Sequence, residues 1–327
     1  MGSSEAPAQE YLTLNTGAKI PALGFGTFAN EGEKGGSYKA TLCALNAGYR
    51  HLDCAAYYMN EDEVGDAIRD FLKANPSVKR SDIFITTKVW NHLSRPGDIE
   101  WSLDQSLKRF GLDNVDMFLL HWPFVSKRTD DMTPVIGDNG LYVVEKNLNE
   151  EPEEAWASME KLLETGKTKA IGTSNWSLEG LKKLLSVAKV PPACNQIEMH
   201  PFLSNPEQLE FLKKNNILPV AYSPLGSQGQ VPGIDEKVST NPTLNQVAEK
   251  KGCTLAQLLI GWGIQRGYAV LPKSSTPSRI ESNFQRVHLT DEEMAAIGEV
   301  AKTRRIRYVN MGPGTFGHDP FAGVHSI

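Results

Sequence analysis

The feature that most constrains this chain is an alternation. Short apolar runs at Ala22 to Phe25, Tyr49 to Leu52, Ile83 to Thr87, Met117 to Leu120, Ala170 to Ile171, Ala193 to Ile197, Leu218 to Tyr222 and Ala269 to Leu271 are separated by segments of helical periodicity. Such runs read as strands buried on both faces, and the spacers carry apolar sets such as Val64, Ile68 and Phe71, or Ile99, Leu103, Leu107 and Phe110. Gly48, Gly111 and Gly166 follow helical runs as stops, and Asn60 with Glu63 has the spacing of a capping box at a helix start. Eight strands each followed by a helix, with no Pro/Gly/Ser linker in 327 residues, predict an α/β fold of one domain, a (β/α)8 TIM barrel.

Three segments lie outside the minimal barrel. A hairpin is expected at the start, Tyr11 to Leu14 and Lys19 to Ile20 around a turn at 15–17, after a disordered stretch over residues 1–10. A polar excursion covers 124–151, and a tail rich in Arg, Gly and Pro covers 303–327; both are expected at the rim of the active-site end. The competing architecture, a doubly wound dinucleotide-binding sheet, needs G-x-G-x-x-G after its first strand. Here Gly24-Phe25-Gly26 runs into Thr27, Phe28 and Ala29, so the third glycine is missing.

Lys and Arg number 34 and Asp and Glu 39, a net charge of −5 without acidic or basic blocks, which argues against nucleic acid as partner. No apolar run reaches the ~18 residues of a membrane helix, and the first ten residues lack an apolar signal region, so a cytoplasmic location is expected. Gly2 is not read as a myristoylation site, because Ala6 stands where Ser or Thr is needed. Cys43, Cys54, Cys194 and Cys253 have no C-x-x-C spacing and read as buried thiols.

In a barrel of this kind the chemistry sits at the C-terminal ends of the strands. The polar residues found there are Asp53 with Tyr58 just beyond, Lys88, His121, Ser174 and Asn175, Asn195 and Gln196, Tyr222 and Ser223, and Lys273 with Ser274. Each alone has a plain structural reading: a helix cap, a snorkelling lysine, a core histidine, a packed ring. Together, an acid, a base, a phenol and an imidazole on adjacent strands are costly to bury without a purpose. They suit proton transfer to a carbonyl oxygen. Lys88 would lower the pKa of Tyr58, Asp53 would hold Lys88 charged, and a neutral His121 would orient the carbonyl.

No nucleophile with an activating base and no metal-ligand spacing accompanies this set, so the reductant must be a cofactor. Ser174, Asn175 and Gln196 suit a nicotinamide carboxamide, and the Tyr222 ring offers a stacking face. The run 271–280 reads as strand, loop and helix start, with Thr276 as N-cap and Pro277 at the first helical position. With Lys273 and Arg279 beside it, this helix start is a candidate site for a 2′-phosphate.

At these residues the chain closely resembles the aldo-keto reductase superfamily, from Tyr11 to Asn310. The matching motifs are Gly48 to Glu61 with Asp53 and Tyr58, Thr87-Lys88-Val89-Trp90, His121-Trp122-Pro123, Gly172 to Asn175, Asn195-Gln196, Tyr222 to Gly226 and Leu271 to Ser274. The resemblance implies a (β/α)8 barrel, NADPH as cofactor, and a catalytic tetrad of Asp53, Tyr58, Lys88 and His121 with Tyr58 as proton donor. It also implies cofactor contacts at Ser223, Leu225, Ser227, Ser274, Arg279 and Asn283, besides Ser174, Asn175, Gln196, Tyr222 and Lys273. Ser282 stands where many relatives carry Glu, and Phe28 where many carry Trp.

The segment 223–232 and the tail 304–311 look most like those of fungal NADP-dependent glycerol dehydrogenases, glyceraldehyde reductases and D-galacturonate reductases. The resemblance therefore implies a small-molecule aldehyde as substrate and a monomer as the working unit. Phe28, Trp90 and Trp122 are expected in the substrate pocket. A uronic acid would need a cation there, from Lys127, Arg128, Arg304, Arg305 or Arg307, of which Arg307 is favoured because Ile306 and Tyr308 could pin it at the rim. Two other functions compete: a non-catalytic NADPH-binding barrel acting as sensor or subunit, and a Schiff-base lyase using Lys88.

Overall fold

In the computed structural model, which describes residues 9–28, 35–227, 234–309 and 311–321, the eight runs become one parallel sheet. Its strands in order are β3 (Phe25–Gly26), β4 (His51–Asp53), β5 (Phe84–Val89), β6 (Met117–Leu120), β9 (Ile171–Ser174), β10 (Cys194–Glu198), β11 (Leu218–Tyr222) and β12 (Ala269–Leu271). Leu23 bridges Val270, with Gly24 N–H donating to Val270 C=O and Val270 N–H to Ala22 C=O, and this closes the sheet into a barrel. Closure leaves no sheet edge, and every strand is short because only a few residues span the barrel wall.

Two antiparallel pairs account for extra segments. The pair β1 (Tyr11–Thr13) and β2 (Lys19–Pro21) sets Leu14 and Ile20 among the barrel residues Met117, Leu119, Cys194 and Leu271. This plugs the N-terminal end of the barrel. The excursion after β6 is ordered rather than loose: β7 (Phe124–Ser126) pairs with β8 (Val144–Asn147), and Tyr142 N–H donates to Thr315 C=O of the tail. Of the expected disordered start, residues 1–8 lie outside the described residues, as do 322–327 of the tail and part of 223–232.

Helices dock as their spacing predicts. Val64, Ile68 and Phe71 of Glu61–Ala74 are buried, as are Ile99, Leu103, Leu107 and Phe110 of Asp98–Phe110, each full burial contributing roughly 1.5 to 3 kcal/mol. Gly48 ends Gly36–Ala47 at φ 112°, and a Cβ there would sit 2.7 Å from the Phe284 ring, so no side chain fits.

The seventh connection departs from the one-helix pattern, since it holds both Pro242–Lys251 and Leu255–Gln265. The second is buried from Leu258 to Ile264, so its sequence carries no amphipathic period. The capping box at Asn60 is also corrected. Asn60 Nδ2 donates to Thr27 C=O and Ser37 Oγ, while the Glu63 carboxylate accepts from Gly35 and Tyr38 N–H at the start of another helix. Tertiary partners outcompeted the local cap. Among the described residues no helix is long and apolar enough to cross a membrane, and all four cysteines are free.

Candidate active site

Lys88 lies on β5 with its side chain fully buried, and its ammonium has three partners. Nζ is 2.8 Å from Asp53 Oδ2 on β4, 2.8 Å from Cys54 C=O and 3.3 Å from Tyr58 Oη. Asp53 Oδ1 accepts from Gln196 Nε2 at 2.7 Å across the barrel. Burial alone would lower the Lys88 pKa, but Asp53 and Tyr58 outweigh it and hold the group above its ordinary range. Charged and with all three protons engaged, Lys88 has no lone pair for attack on a carbonyl, which removes the Schiff-base reading.

Tyr58 is reached by the tight turn Ala56–Tyr58 that follows β4. Phe28 meets its ring edge-on at 5.1 Å, and His121 at 5.8 Å. Burial pushes the phenol up to about 12, against the downward pull of Lys88. The expectation that Lys88 makes Tyr58 more acidic than a free phenol is corrected: the sign of its effect stands, but desolvation is larger. His121, just past β6, falls well below its ordinary value through burial and then Lys88, so it is neutral at pH 7, and its Nδ1 has no partner.

Asn175 links the catalytic end to the opposite wall. It adopts φ 62° after β9, donates Nδ2 to His121 C=O at 2.9 Å and accepts the Tyr222 hydroxyl on Oδ1 at 2.7 Å. Ser223 and Ser227 are also held at positive φ, 48° and 39°. Backbone strain of this kind gathers where surrounding structure over-determines it, commonly at ligand sites.

These groups open on one cleft of 610 Å³, within the usual size of small-molecule sites. Phe28, Asp53, Tyr58, His121, Trp122, Asn175, Gln196, Tyr222, Ser223, Leu225, Ser227, Lys273, Ser274 and Arg279 line it. Lys88 lies beneath Tyr58. Ser174 sits behind the wall, donating Oγ to Gln196 C=O, and Asn283 is buried near the end of the helix Pro277–Phe284, away from the cleft surface.

Trp90 is covered by Tyr57, whose ring stacks on it at 3.8 Å and takes its expected place in the cleft. Tyr57 escaped the sequence reading, although its position beside Tyr58 in a three-residue turn sends both rings toward one opening. Tyr308, Val309 and Met311 of the tail also line the cleft.

Arg307 does not face the cleft. Its guanidinium lies 3.8 Å over the Phe321 ring and 4.0 Å from the Glu198 carboxylate, so the expectation of a substrate-binding cation there is corrected. The buried Glu198 carboxylate attracts the Arg307 guanidinium to that side of the tail. Arg128 is paired with Asp98 and Arg304 with Glu236.

The far end of the cleft fits an anionic cofactor. Lys273 and Arg279 are exposed and make no ion pair with any described residue. Ser274 Oγ accepts Thr276 N–H at 3.1 Å, shaping the loop into a helix that has Pro277 at its first turn, while Thr276 itself makes no side-chain cap. Unpaired cations at a helix start suit phosphate, and the buried amides of Asn175 and Gln196 beside the Tyr222 ring suit a nicotinamide. No group of three metal-ligating side chains occurs among the described residues.

The aldo/keto reductase family profile matches residues 22–302. A glycerol 2-dehydrogenase (NADP(+)) of Hypocrea jecorina is 58% identical over 312 residues, covering 95% of this chain and 98% of that protein. Aldehyde reductase YPR1 of Saccharomyces cerevisiae is 44% identical over 315 residues, covering 93% and 95%. The solved aldose reductase of Schistosoma japonicum superposes with a TM-score of 0.86 at 32% identity, covering 97% of this chain and all of that one.

Proposed function

Since the chain belongs to the aldo/keto reductase family and is an NADP-dependent oxidoreductase, we propose that it reduces small hydroxylated aldehydes to alcohols with Tyr58 as proton donor. The observation that carries this reading is the buried Asp53, Lys88 and Tyr58 chain of contacts, ending at a phenol in the same cleft as Lys273 and Arg279. Lys273, Ser274 and Arg279 would hold the phosphate end of NADPH, and Asn175, Gln196 and Tyr222 the nicotinamide end. When bound there, the cofactor supplies the hydride for the carbonyl carbon.

The chain's own residues do the rest. His121, neutral, orients the carbonyl oxygen. As negative charge grows on that oxygen, Tyr58 Oη gives up its proton to it, and Lys88 stabilises the phenolate left behind. Asp53 keeps Lys88 charged, and the phenolate regains a proton from solvent. A phenol held near 12 suits a carbonyl oxygen that becomes an alkoxide, because the alkoxide is the stronger base. The four free cysteines agree with a cytoplasmic setting.

Among the described lining residues the surface cations are Lys273 and Arg279, both at the cofactor end. With Arg307 held by Glu198, neutral hydroxyaldehydes such as glyceraldehyde are favoured over uronic acids. Stopped-flow oxidation of NADPH by glyceraldehyde tests the reading. Tyr58→Phe should lower kcat at least ~10²-fold while NADPH still binds. Wild-type turnover in that variant would refute Tyr58 as donor, and no oxidation by the wild type with glyceraldehyde, galactose or galacturonate would favour the non-catalytic barrel.

A further inference from the structure

The proposed reaction leaves several buried charges unused, and Glu198 is one of them. Glu198 is the last residue of β10, two on from Gln196 and thus on the same side of the strand, and it is fully buried. Its carboxylate accepts Tyr308 N–H on Oε1 at 2.7 Å and Val309 N–H on Oε2 at 3.0 Å. His200 Nε2 lies 2.9 Å from Oε1, and Arg307 approaches to 4.0 Å, a charge contact without a hydrogen bond. Burial alone would raise the carboxyl's pKa; His200, Arg307 and the backbone donors hold it below the ordinary range.

The tail at 305–309 belongs to no strand or helix, and among the described residues neither the Tyr308 nor the Val309 amide has a backbone acceptor. A ladder strand would supply acceptors at alternate residues; here a single side chain supplies both. An apolar residue in its place would leave the buried Tyr308 N–H and the half-buried Val309 N–H unpaired, at about 1 to 3 kcal/mol for a buried one. The two residues so held are the ones whose side chains form the tail wall of the cleft, with Met311 beyond them.

We propose that Glu198 is a positioning residue for substrate: its carboxylate stands in for a missing strand edge, pins Tyr308 and Val309 against the barrel, and so sets aldehyde affinity without touching the aldehyde. This rests on the reductase reading for its kinetic consequence and on geometry alone for the anchoring.

Glu198→Gln keeps the volume but turns one oxygen into a donor facing a donor. One unpaired buried N–H corresponds to roughly 10-fold in an equilibrium. The variant should therefore raise KM for glyceraldehyde about 10-fold while kcat and the NADPH dissociation constant stay within about 3-fold. Hydrogen exchange should show the Tyr308 and Val309 amides speeding up together, with barrel amides unchanged. An unchanged KM, or a fall in kcat matching the rise in KM, would overturn the proposal. Should the variant not fold, the wild-type protein decides: Tyr308 and Val309 amides must exchange far more slowly than that of Arg305, and equal rates would overturn the anchoring whatever the enzyme reduces.

Discussion

Replacing Lys88 with Met tests the electrostatic core of the mechanism. Lys88 Nζ stands 3.3 Å from Tyr58 Oη. At an effective dielectric of ~20, an ammonium and a full phenolate at that distance attract by about 5 kcal/mol. A transition state in which the phenolate is half formed draws about half of this, which corresponds to roughly 10²-fold in rate. The methionine preserves length and packing, and Lys88 does not line the cleft, so NADPH affinity should hold within about 3-fold. Asp53 is then left with Gln196 as its side-chain donor and no Lys88 to hold charged. Asp53→Asn should then cost much less in the Lys88→Met background than in the wild type, an interaction that a double-mutant cycle measures. The assay is single-turnover decay of NADPH fluorescence on mixing with saturating glyceraldehyde. A hydride step within about 5-fold of wild type would refute the reasoning, since the Coulomb attraction would then be absent from the barrier.

The cofactor end and the barrel floor supply two more tests. Neutralising Lys273 and Arg279 together should raise KM for NADPH by about 10²-fold or more, each charge-assisted contact being worth roughly 1.5 to 3 kcal/mol, and leave KM for NADH nearly unchanged; equal losses for both would separate these cations from the extra phosphate. His51, buried with Nδ1 3.1 Å from Pro21 C=O, is lowered to about 4, first by desolvation. Its folded pKa lies below the unfolded value, so its contribution is fully present above pH ~6.5 and drains away as pH falls toward 4, about 3 kcal/mol in all. Urea unfolding at pH 7 and pH 4.5 should show this loss, and a His51→Gln variant with an equally steep pH dependence would assign it elsewhere.

Much of the barrel was legible because its signals are local. A run such as Met117 to Leu120 is apolar on both faces, and Val64, Ile68 and Phe71 share one stripe, because backbone geometry turns spacing directly into direction. The residues at the strand ends inherit their placement from that pattern, which is why spacing alone gathers Asp53, Lys88, His121 and Gln196 at one end. Leu255–Gln265 was silent for the complementary reason: a helix buried nearly all round has no polar face to mark its period.

What spacing cannot carry is competition among partners. Asn60 and Glu63 have the residues of a capping box, yet packing offered Thr27, Ser37, Gly35 and Tyr38, and those contacts won. Several cations stood in the excursion and the tail, and only the fold set Glu198 beside Arg307, or Tyr57 between Trp90 and the cleft. The acidity of Tyr58 shows the same division. Its type, its turn and the lysine on the neighbouring strand are properties of the sequence; whether burial or the ammonium governs its proton depends on how much water the closed barrel leaves around it, a quantity that exists only once distant segments have met.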